Sequence, residues 1–596
     1  MTSSKIRHLV STHIASAILV AFYLPVWATD YFVSPYGSDS ADGHAAASAH
    51  EHGNQGPFAT FEPLARVILQ NGDSILLACG QRYRGPLHLT LQSNAPGALT
   101  ISRFGKCAPG DRPVIDGRAP LELAASSDLH TVASALQVVQ VFAGAEPMVQ
   151  ARFPQRGYLI FPANTLSALD HVPEIATLGE QDFVGAVLHA RTQEWYVEER
   201  NVIGSGNRFD SPLSYPLRPK AGAYLTGKAW MIGNADGWAY DSAVHSLYVR
   251  NKAAAPISIV YAGPLLSIEG HGSVSISGVA FDAAGGDAIS VKTGGSVNID
   301  DVQIRQAAGN GVAIAGMRDA QVTNSWIKDV GLDGIFFAEV ARVVVRRNTV
   351  INAGIYLGPR PSLAAINAHR TNAATIEENK VLRSAYIGIR FSGDANIRRN
   401  YVKDSCLFLS DGAGLYTWRR NAADQRPPVD IAENIIVGVG GDASVKFGVN
   451  DYYAGIYLDE FTRNVTVRNN VVLGVRQGIY IHNAIGNRVE ANLIGGAAKP
   501  MLIGISVERY PGEDTNTNVV TNNTVLSPTV RWSVTGSKGE IGDEVADRLI
   551  ELHIIDDSAS KDHAAVSPMT CEPVALGQSV DNSNGPRPLA VVNYCK

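Results

Sequence analysis

An internal repeat constrains the fold of this chain more than any other feature of its sequence. Short β-rich segments restart at regular spacing, and the first three steps between them are each 23 residues long. A base period of 21–23 residues with occasional longer steps is typical of a coil whose turns tolerate inserted loops. We therefore predict an all-β, right-handed parallel β-helix, a solenoid. Its segments start at Ile276, Ile299, Val322, Val345, Ile376, Ile397, Ile431, Val467, Val489 and Val520.

Two further positions repeat in the seven successive segments that start from Val345 onward. A hydrophobic residue lies five positions after the start, where it should point into the coil. Helical solenoids and leucine-rich repeats are poorer alternatives, because the segments alternate with period two and the consensus leucines are missing. The third position after the start holds asparagine, which can bond to the rungs above and below and tolerates the left-handed conformation of such turns. These asparagines are Asn348, Asn379, Asn400, Asn434, Asn470, Asn492 and Asn523.

Each unit carries a second strand, usually opened by Gly-Ile, and the last of these openings is Gly504-Ile505. Because side chains alternate along a strand, the second and fourth positions after Gly should form two outward columns on one solvent-exposed face. The second position holds Phe336, Asn367, Arg390, Tyr416, Tyr457, Tyr480 and Ser506. The fourth position holds Ala338, His369, Ser392, Trp418, Asp459, His482 and Glu508.

Five segments describe the expected domain organisation. Residues 1–28 are a predicted signal peptide, and 29–120 form an N-terminal cap with the first rungs. Residues 121–262 interrupt the repeat and are β-rich, which indicates an inserted accessory domain. The main coil occupies 263–530. The tail, 531–596, is expected to cover the open end of the coil, where exposed strand edges would otherwise pair with other chains.

The N-terminus and the cysteines both indicate export. Basic residues precede a short apolar stretch, and residues 26–28 resemble a signal-peptidase site, so the mature chain should begin near Thr29. An uncleaved membrane anchor is the alternative, although the apolar run is short for a membrane span. In an oxidising compartment the local pairs are Cys79–Cys107 and Cys571–Cys595, with Cys406 left as a buried thiol. We expect a secreted or periplasmic protein.

Composition limits the partners of the chain. With 50 basic and 56 acidic residues, the net charge is −6, which argues against a general nucleic-acid binder. We expect no membrane span in the mature chain, and we expect it to be a monomer. No metal-ligand spacing or cofactor motif is present in the sequence, so neither a metal nor a cofactor is predicted.

The repeat and several local motifs resemble those of bacterial β-helix carbohydrate-active enzymes of the pectate-lyase-like superfamily. The N-terminal motif is YFVSPYGSD at 31–39. DGAGLYTW at 411–418 and GIYLDE at 455–460 look like paired motifs of the glycoside hydrolase family that contains α-L-fucosidase and xylanase activities. That resemblance implies a carbohydrate polymer or oligosaccharide as substrate. It also implies two carboxylates in this region, which map to Asp411 and Asp459.

Cleavage of a glycosidic bond requires one carboxylic acid and one carboxylate that acts as nucleophile or base. His482 lies one rung beyond Asp459 and could hold or protonate it, so we predict Asp411, Asp459 and His482 as catalytic. An aspartate before a glycine-rich turn is also often only a turn residue, and a tyrosine column can simply stabilise a sheet. The predicted substrate-binding residues are Arg390, Tyr416, Trp418, Arg419, Tyr457, Tyr480, Glu460, Glu508 and His369.

Two other function classes remain open. A polysaccharide lyase or epimerase would need a base and a cation that neutralises the substrate carboxylate. The proposed face lacks a dense acidic cluster suited to calcium, which makes this class less favoured. A non-catalytic carbohydrate-binding adhesin is the third possibility, because the same aromatic residues could bind sugar without cleaving it.

Overall fold

A computed structural model describes most of the chain between residues 28 and 525. The described residues form a parallel β-helix in which each rung contributes strands to three faces. Face A contains the strands opened by Gly-Ile, face B the strands with the repeat anchors, and face C the strands that follow the asparagines. The described ranges are 28–47, 54–93, 95–108, 110–123, 128–161, 167–169, 172, 175, 182–193, 196–203, 207–217, 222–355, 364–421, 428–440, 453–505, 509–514 and 516–525.

Four long strands run through faces A and B without interruption: Leu266–Ser277, Ile289–Asp300, Ile335–Arg346 and Ala364–Glu377. The other strands of face A are Ile68–Leu69, Leu87–Gln92, Val312–Ala315, Ile387–Phe391, Gly412–Thr417, Tyr453–Leu458, Gln477–His482 and Lys499–Gly504. Those of face B are Asp30–Val33, Ser74–Ala78, Leu99–Phe104, Asp319–Thr323, Asp394–Arg398, Val429–Ala432, Val465–Arg468, Arg488–Glu490 and Val519–Thr521. Face C contains Arg82–Arg84, Val114–Asp116, Ala280–Ala284, Gln303–Ala307, Trp326–Val330, Thr349–Ala353, Lys380–Ser384, Tyr401–Ser405, Ile435–Val439, Val471–Val475, Leu493–Gly495 and Thr524–Val525.

The repeat anchors stack in one continuous column, which confirms the predicted fold class. Ile276 pairs in register with Ile299, and the same parallel register continues from rung to rung as far as Val520. The anchors from Ile276 to Val489 are fully buried in the apolar core, whereas Val520 on the last described rung is 40% exposed. Period-two alternation therefore directs one side chain in two inward, where burial of each stabilises the coil by about 1.5–3 kcal/mol.

The predicted asparagine column is confirmed. Each asparagine from Asn348 to Asn492 donates a side-chain N–H to the Oδ1 atom of the asparagine on the next rung, at 2.9–3.0 Å. The expectation that the asparagine itself takes the left-handed conformation of the turn was wrong, because the residue before each asparagine adopts positive φ. Glu433 and Ala491, for example, have φ of 60° and 54°. The asparagine itself is occupied by hydrogen bonds to its neighbours, so the strain of the turn falls one position earlier.

The inserted segment lies between two rungs that contact each other directly. Leu266, where the chain returns to the coil, pairs with Leu87 of the first rungs. Between these rungs the chain forms antiparallel sheets. One sheet contains Ala119–Leu121, Val138–Ala143, Glu146–Pro147 and Ile257–Tyr261, and a second contains Leu129–Ala133, Gly237–Asp241 and Ser246–Arg250. A third group contains Arg152–Phe153, Leu159–Ile160, Val187–Gln193, Tyr196–Ile203, Arg208–Phe209 and Gly222–Thr226.

Two short 3-10 helices, Pro63–Arg66 and Ala229–Met231, also lie within the described part of the chain. Among the described residues, no helix has the length and apolar character that a membrane crossing requires. Cys79 and Cys107 form the predicted disulfide, and Cys406 is buried as expected. Residues 1–27 of the predicted signal peptide, the chain from residue 526 onward and the predicted pair Cys571–Cys595 lie outside the described residues.

One predicted strand start was wrong. Ile479 pairs with Met501, and His482 pairs with Gly504, so the last face A strand begins four residues before the predicted one. A Gly-Ile dipeptide is a local signal, whereas the register is decided by hydrogen bonding to the preceding rung. Leu502 and Gly504 therefore occupy the two column positions that were predicted for Ser506 and Glu508. Ser506 and Glu508 themselves lie outside the described residues.

Candidate functional site

Three tyrosines lie one above the other on face A. Tyr416 pairs with Tyr457, and Tyr457 pairs with Tyr480, because the three strands are in parallel register. The Tyr416 and Tyr457 rings meet edge to face at 5.3 Å, and the Tyr457 and Tyr480 ring centroids are 4.6 Å apart. Arg390 lies one rung earlier, with its guanidinium 6.0 Å from the Tyr416 ring centroid. The column of side chains that strand alternation predicted is therefore present in the structure.

Asp459 lies at the end of the Tyr457 strand and is held by two side chains. The Tyr416 hydroxyl donates to its Oδ2 atom at 2.6 Å. The Nδ1 atom of His482, one rung further on, lies 2.7 Å from its Oδ1 atom. Both oxygens of the carboxylate are therefore engaged, and the group is fixed in position by neighbouring rungs.

Asp411 approaches the same cluster from the turn before its strand. The Tyr457 hydroxyl donates to Asp411 Oδ1 at 3.3 Å and lies 3.4 Å from His482 Nδ1. The Tyr386 hydroxyl donates to the backbone carbonyl of Asp411 at 2.7 Å. Asp411 has φ of 58°, a conformation that costs about 1–3 kcal/mol outside glycine and persists only where surrounding contacts enforce it. One phenol thus connects Asp411 to the imidazole that contacts Asp459.

Gly412 permits this arrangement. A Cβ atom at this position would lie 2.6 Å from the Tyr386 ring and 2.9 Å from the sulfur of Cys406. Any side chain here would push Tyr386 away from the Asp411 carbonyl. The glycine of the DGAG motif is therefore required by close packing beside the site.

The prediction that the tyrosine column is exposed to solvent was wrong. Tyr457 is 3% exposed and Tyr480 is 7% exposed, whereas Asp411, Asp459 and His482 remain partly accessible. The rings cover one another, and Asp411 in the turn before its strand contacts the Tyr457 hydroxyl. The charged groups therefore lie at the accessible edge of a buried aromatic cluster.

Burial and charge set the protonation of this cluster. Burial raises the pKa of Tyr416 and of Tyr457 far above the usual range, and the negative charge of Asp459 adds to both shifts. Both phenols consequently remain hydrogen-bond donors. The hydrogen bond to Asp459 raises the pKa of His482 above its ordinary value, although burial opposes this shift.

Other predicted residues lie beside the cluster. Trp418 follows the Tyr416 strand, and its ring stacks on that of His369 at 5.2 Å. A bulge displaces His369 from its predicted column, so that Arg370 pairs with Ala338 instead. The backbone N–H of Arg419 donates to the carbonyl of Glu460 at 2.9 Å.

Glu460 forms an ion pair with Arg509 at 2.8 Å. Its carboxylate is engaged there, away from the pair formed by Asp459 and His482. This position agrees with the strand alternation that directs Glu460 to the opposite side from Asp459.

Two residues of the cluster were missed by sequence reasoning. Asn483 directly follows His482, and its Nδ2 atom lies 3.1 Å from the Nε2 atom of that histidine. Tyr386 lies two positions before Gly388, where the outward column continues toward the start of the strand. Extending the columns to positions before the glycine would have found Tyr386.

The inserted segment approaches the other end of the same strands. Arg191 is 5% exposed, and burial lowers its pKa while the phenols of Tyr158, Tyr453 and Tyr224 oppose that shift. Tyr453 begins the strand that carries Tyr457. Within the described part of the chain, no three histidine, cysteine, aspartate or glutamate side chains converge as ligands for a metal ion.

Comparisons with known proteins agree with this architecture. A family model described as "Right handed beta helix region" matches residues 265–436. A comparison with curated proteins finds no match. A solved structure described as "Glycoside hydrolase" shares 15% identity, covers 85% of this chain and 97% of its own, and has a TM-score of 0.53.

Two further solved structures match with lower TM-scores. GH136 lacto-N-biosidase from Eubacterium ramulus shares 12% identity over 83% of this chain and 67% of its own, with a TM-score of 0.27. Endopolygalacturonase I from Stereum purpureum shares 11% identity over 77% of this chain and 95% of its own, with a TM-score of 0.24. The family model, the solved glycoside hydrolase and the strand register together show that this chain is a right-handed parallel β-helix.

Proposed function

We propose that this chain is an exported, polysaccharide-active enzyme, and specifically a glycoside hydrolase that uses Asp411 and Asp459. The supporting observation is the contact of both carboxylates with one cluster, through Tyr457 and His482, at an accessible edge of face A. Hydrolysis of a glycosidic bond needs two carboxyl groups with different roles on either side of that bond. The similarity of fold to a solved glycoside hydrolase supports the same choice of class.

The contacts of the two aspartates suggest their roles. Asp459 accepts hydrogen bonds at both oxygens, from Tyr416 and from His482, which suits a carboxylate that acts as nucleophile or base. Asp411 accepts a longer bond, at 3.3 Å, from Tyr457, and is assigned the acid that protonates the leaving oxygen. Protonated His482 then holds Asp459 in place.

The test begins with reducing-sugar release by the full chain on a panel of neutral and acidic polysaccharides. On an active substrate, Asp459→Asn and Asp411→Asn should each lower kcat about 10²–10⁴-fold, since each removes an acid–base or nucleophilic group. Asp128→Asn is the matched control, because Asp128 is an exposed aspartate of the inserted segment. Circular dichroism verifies that each variant is folded. Full activity in both site variants would move the search to Glu460 and His369.

Elimination from an acidic polymer is the alternative reaction. The position of Arg390 beside Tyr416 favours it, because a lyase must neutralise a substrate carboxylate next to its base. The same screen separates the two reactions, since elimination creates an unsaturated uronate that absorbs ultraviolet light. Reducing ends released without that absorbance support hydrolysis.

Export is part of the proposal and has its own measurement. Protein purified from the periplasm or the culture medium should begin near Thr29 and contain two disulfides. N-terminal sequencing and thiol counting under denaturing conditions test this. Five reactive thiols would contradict the proposed compartment.

A further inference from the structure

A cavity of about 760 Å³ lies along the turn that follows the face A strands. Its lining comes from five successive rungs, represented by Met317, Glu339, His369, Ser392 and Trp418. Four rung spacings of roughly 4.8 Å give the cavity a length of about 19 Å along the coil axis. This length can hold several sugar rings laid parallel to the axis.

The cavity ends beside the proposed catalytic pair. The backbone N–H of Asp459 donates to the carbonyl of Thr417 at 2.9 Å, so Asp459 lies one rung from Trp418. A chain bound in the cavity therefore leads directly to the two aspartates. The cavity is a continuation of the proposed site toward the N-terminal rungs.

A flat aromatic surface marks the catalytic end of the cavity. Trp418 and His369 stack with their rings 5.2 Å apart and an interplanar angle of 19°. Stacking fixes the orientation of the indole, and both residues line the cavity. A pyranose ring can pack its apolar face on such a surface, which positions a sugar without selecting its charge.

The charge of the lining is positive. Arg370, Arg419 and Arg420 line the cavity together with one acidic residue, Glu339. The Arg419 side chain is buried and donates to the carbonyl of Arg463 at 3.0 Å, so Arg370 and Arg420 present the accessible positive charge. Arg370 pairs with Glu339 at 2.5 Å on the exposed rim, where 60% and 70% of their side chains are accessible. Arg420 is also exposed. The whole chain has a net charge of −6, so this local excess opposes the overall balance.

We infer that this cavity is a subsite for an anionic sugar, one that carries a carboxylate or a sulfate, next to the bond that is cleaved. The inference rests on the proposed function, since it names the substrate class of the same site. Trp418 and His369 position the ring, while Arg370 and Arg420 select the charge. Glu339 limits that selection by competing for Arg370.

Binding is measured with full-length Asp459→Asn protein, so that turnover does not interfere. Affinity electrophoresis is run in gels that contain polygalacturonate, alginate or a sulfated galactan, each beside its carboxyl-reduced or desulfated counterpart. At least one anionic polymer should bind about tenfold more tightly than its uncharged counterpart, because charge-assisted hydrogen bonds are the stronger ones. The polymer that is preferred distinguishes carboxylate from sulfate.

Substitutions that remove a positive or a negative charge from the cavity lining should change the anionic preference in opposite directions. Arg420→Gln should weaken the anionic preference severalfold, and Glu339→Gln should strengthen it. Trp418→Ala should weaken binding of both forms and leave their ratio unchanged. Arg488→Gln is the control, since Arg488 is an exposed arginine of face B that pairs with Glu490.

Equal binding of charged and uncharged polymers would overturn the inference, as would an anionic preference that neither Arg420→Gln nor Glu339→Gln alters. Binding to none of the anionic polymers would overturn it as well. Failure of the proposed function is distinguishable from these results. A chain that prefers anionic polymers in this assay but cleaves none would keep the subsite and lose the hydrolase.

Discussion

Replacement of Asn434 by alanine tests whether the asparagine column holds the rungs together. Asn434 is fully buried in the middle of the column. Its side chain donates to the carbonyl of Ile397 at 2.7 Å and to Asn470 Oδ1 at 2.9 Å. Its Oδ1 atom accepts from the backbone N–H of Asn400 at 3.0 Å and from the side chain of Asn400 at 2.9 Å. The substitution removes all four hydrogen bonds.

The expected cost follows from these contacts. At roughly 1 kcal/mol net for each hydrogen bond, Asn434→Ala should lower the free energy of unfolding by about 4 kcal/mol, a large value for one substitution. Two of the hydrogen-bonding partners of Asn434 keep another hydrogen bond after the substitution. The Asn400 side chain keeps its bond to the carbonyl of Ile376, and Asn470 Oδ1 still accepts from the backbone N–H of residue 434.

Urea unfolding followed by circular dichroism measures the global effect, and hydrogen exchange measures the local one. Because rungs of a solenoid can open separately, exchange of the Asn400 amide should accelerate more than that of distant rungs. Asn298→Ala is the control, since Asn298 is an exposed residue of the strand Ile289–Asp300. A cost below about 1 kcal/mol for Asn434→Ala, or equal costs for both variants, would refute the reasoning.

Three further predictions concern the site and the turns. Tyr416→Phe removes the hydroxyl that lies 2.6 Å from Asp459 Oδ2, so kcat should fall about tenfold or more while the urea midpoint changes little. The pKa of His482 is raised above its ordinary value of 6.5. Its ion pair with Asp459 therefore stabilises the folded state fully below pH 6.5, and this stabilisation is lost as the pH rises through the raised pKa. Asp459→Asn should lower that pKa, and histidine NMR titration reports it. Ala491 is exposed with φ of 54°, so Ala491→Gly should raise the free energy of unfolding by about 0.5–1 kcal/mol in urea titrations, and a loss of stability would contradict this.

The sequence alone determined the coil and its stacking. Repeat spacing and period-two alternation identified the column from Ile276 to Val520, because every rung must bury the same face in the same core. The asparagines were identified for a similar reason, since a buried amide must find partners on the adjacent rungs. Strand alternation also placed Tyr416 and Tyr457 in one column, and Asp459 and His482 in the neighbouring column on the same face.

Only the tertiary structure decided how these columns meet the rest of the molecule. Burial of Tyr457 and Tyr480, the bulge that displaces His369 and the early strand start that pairs Met501 with Ile479 all depend on contacts between rungs and loops. The contact between Tyr457 and Asp411 depends on the path of a turn, which has no periodicity to reveal it. Local alternation fixes the side of the strand on which a residue lies, whereas packing across distant segments decides what covers it.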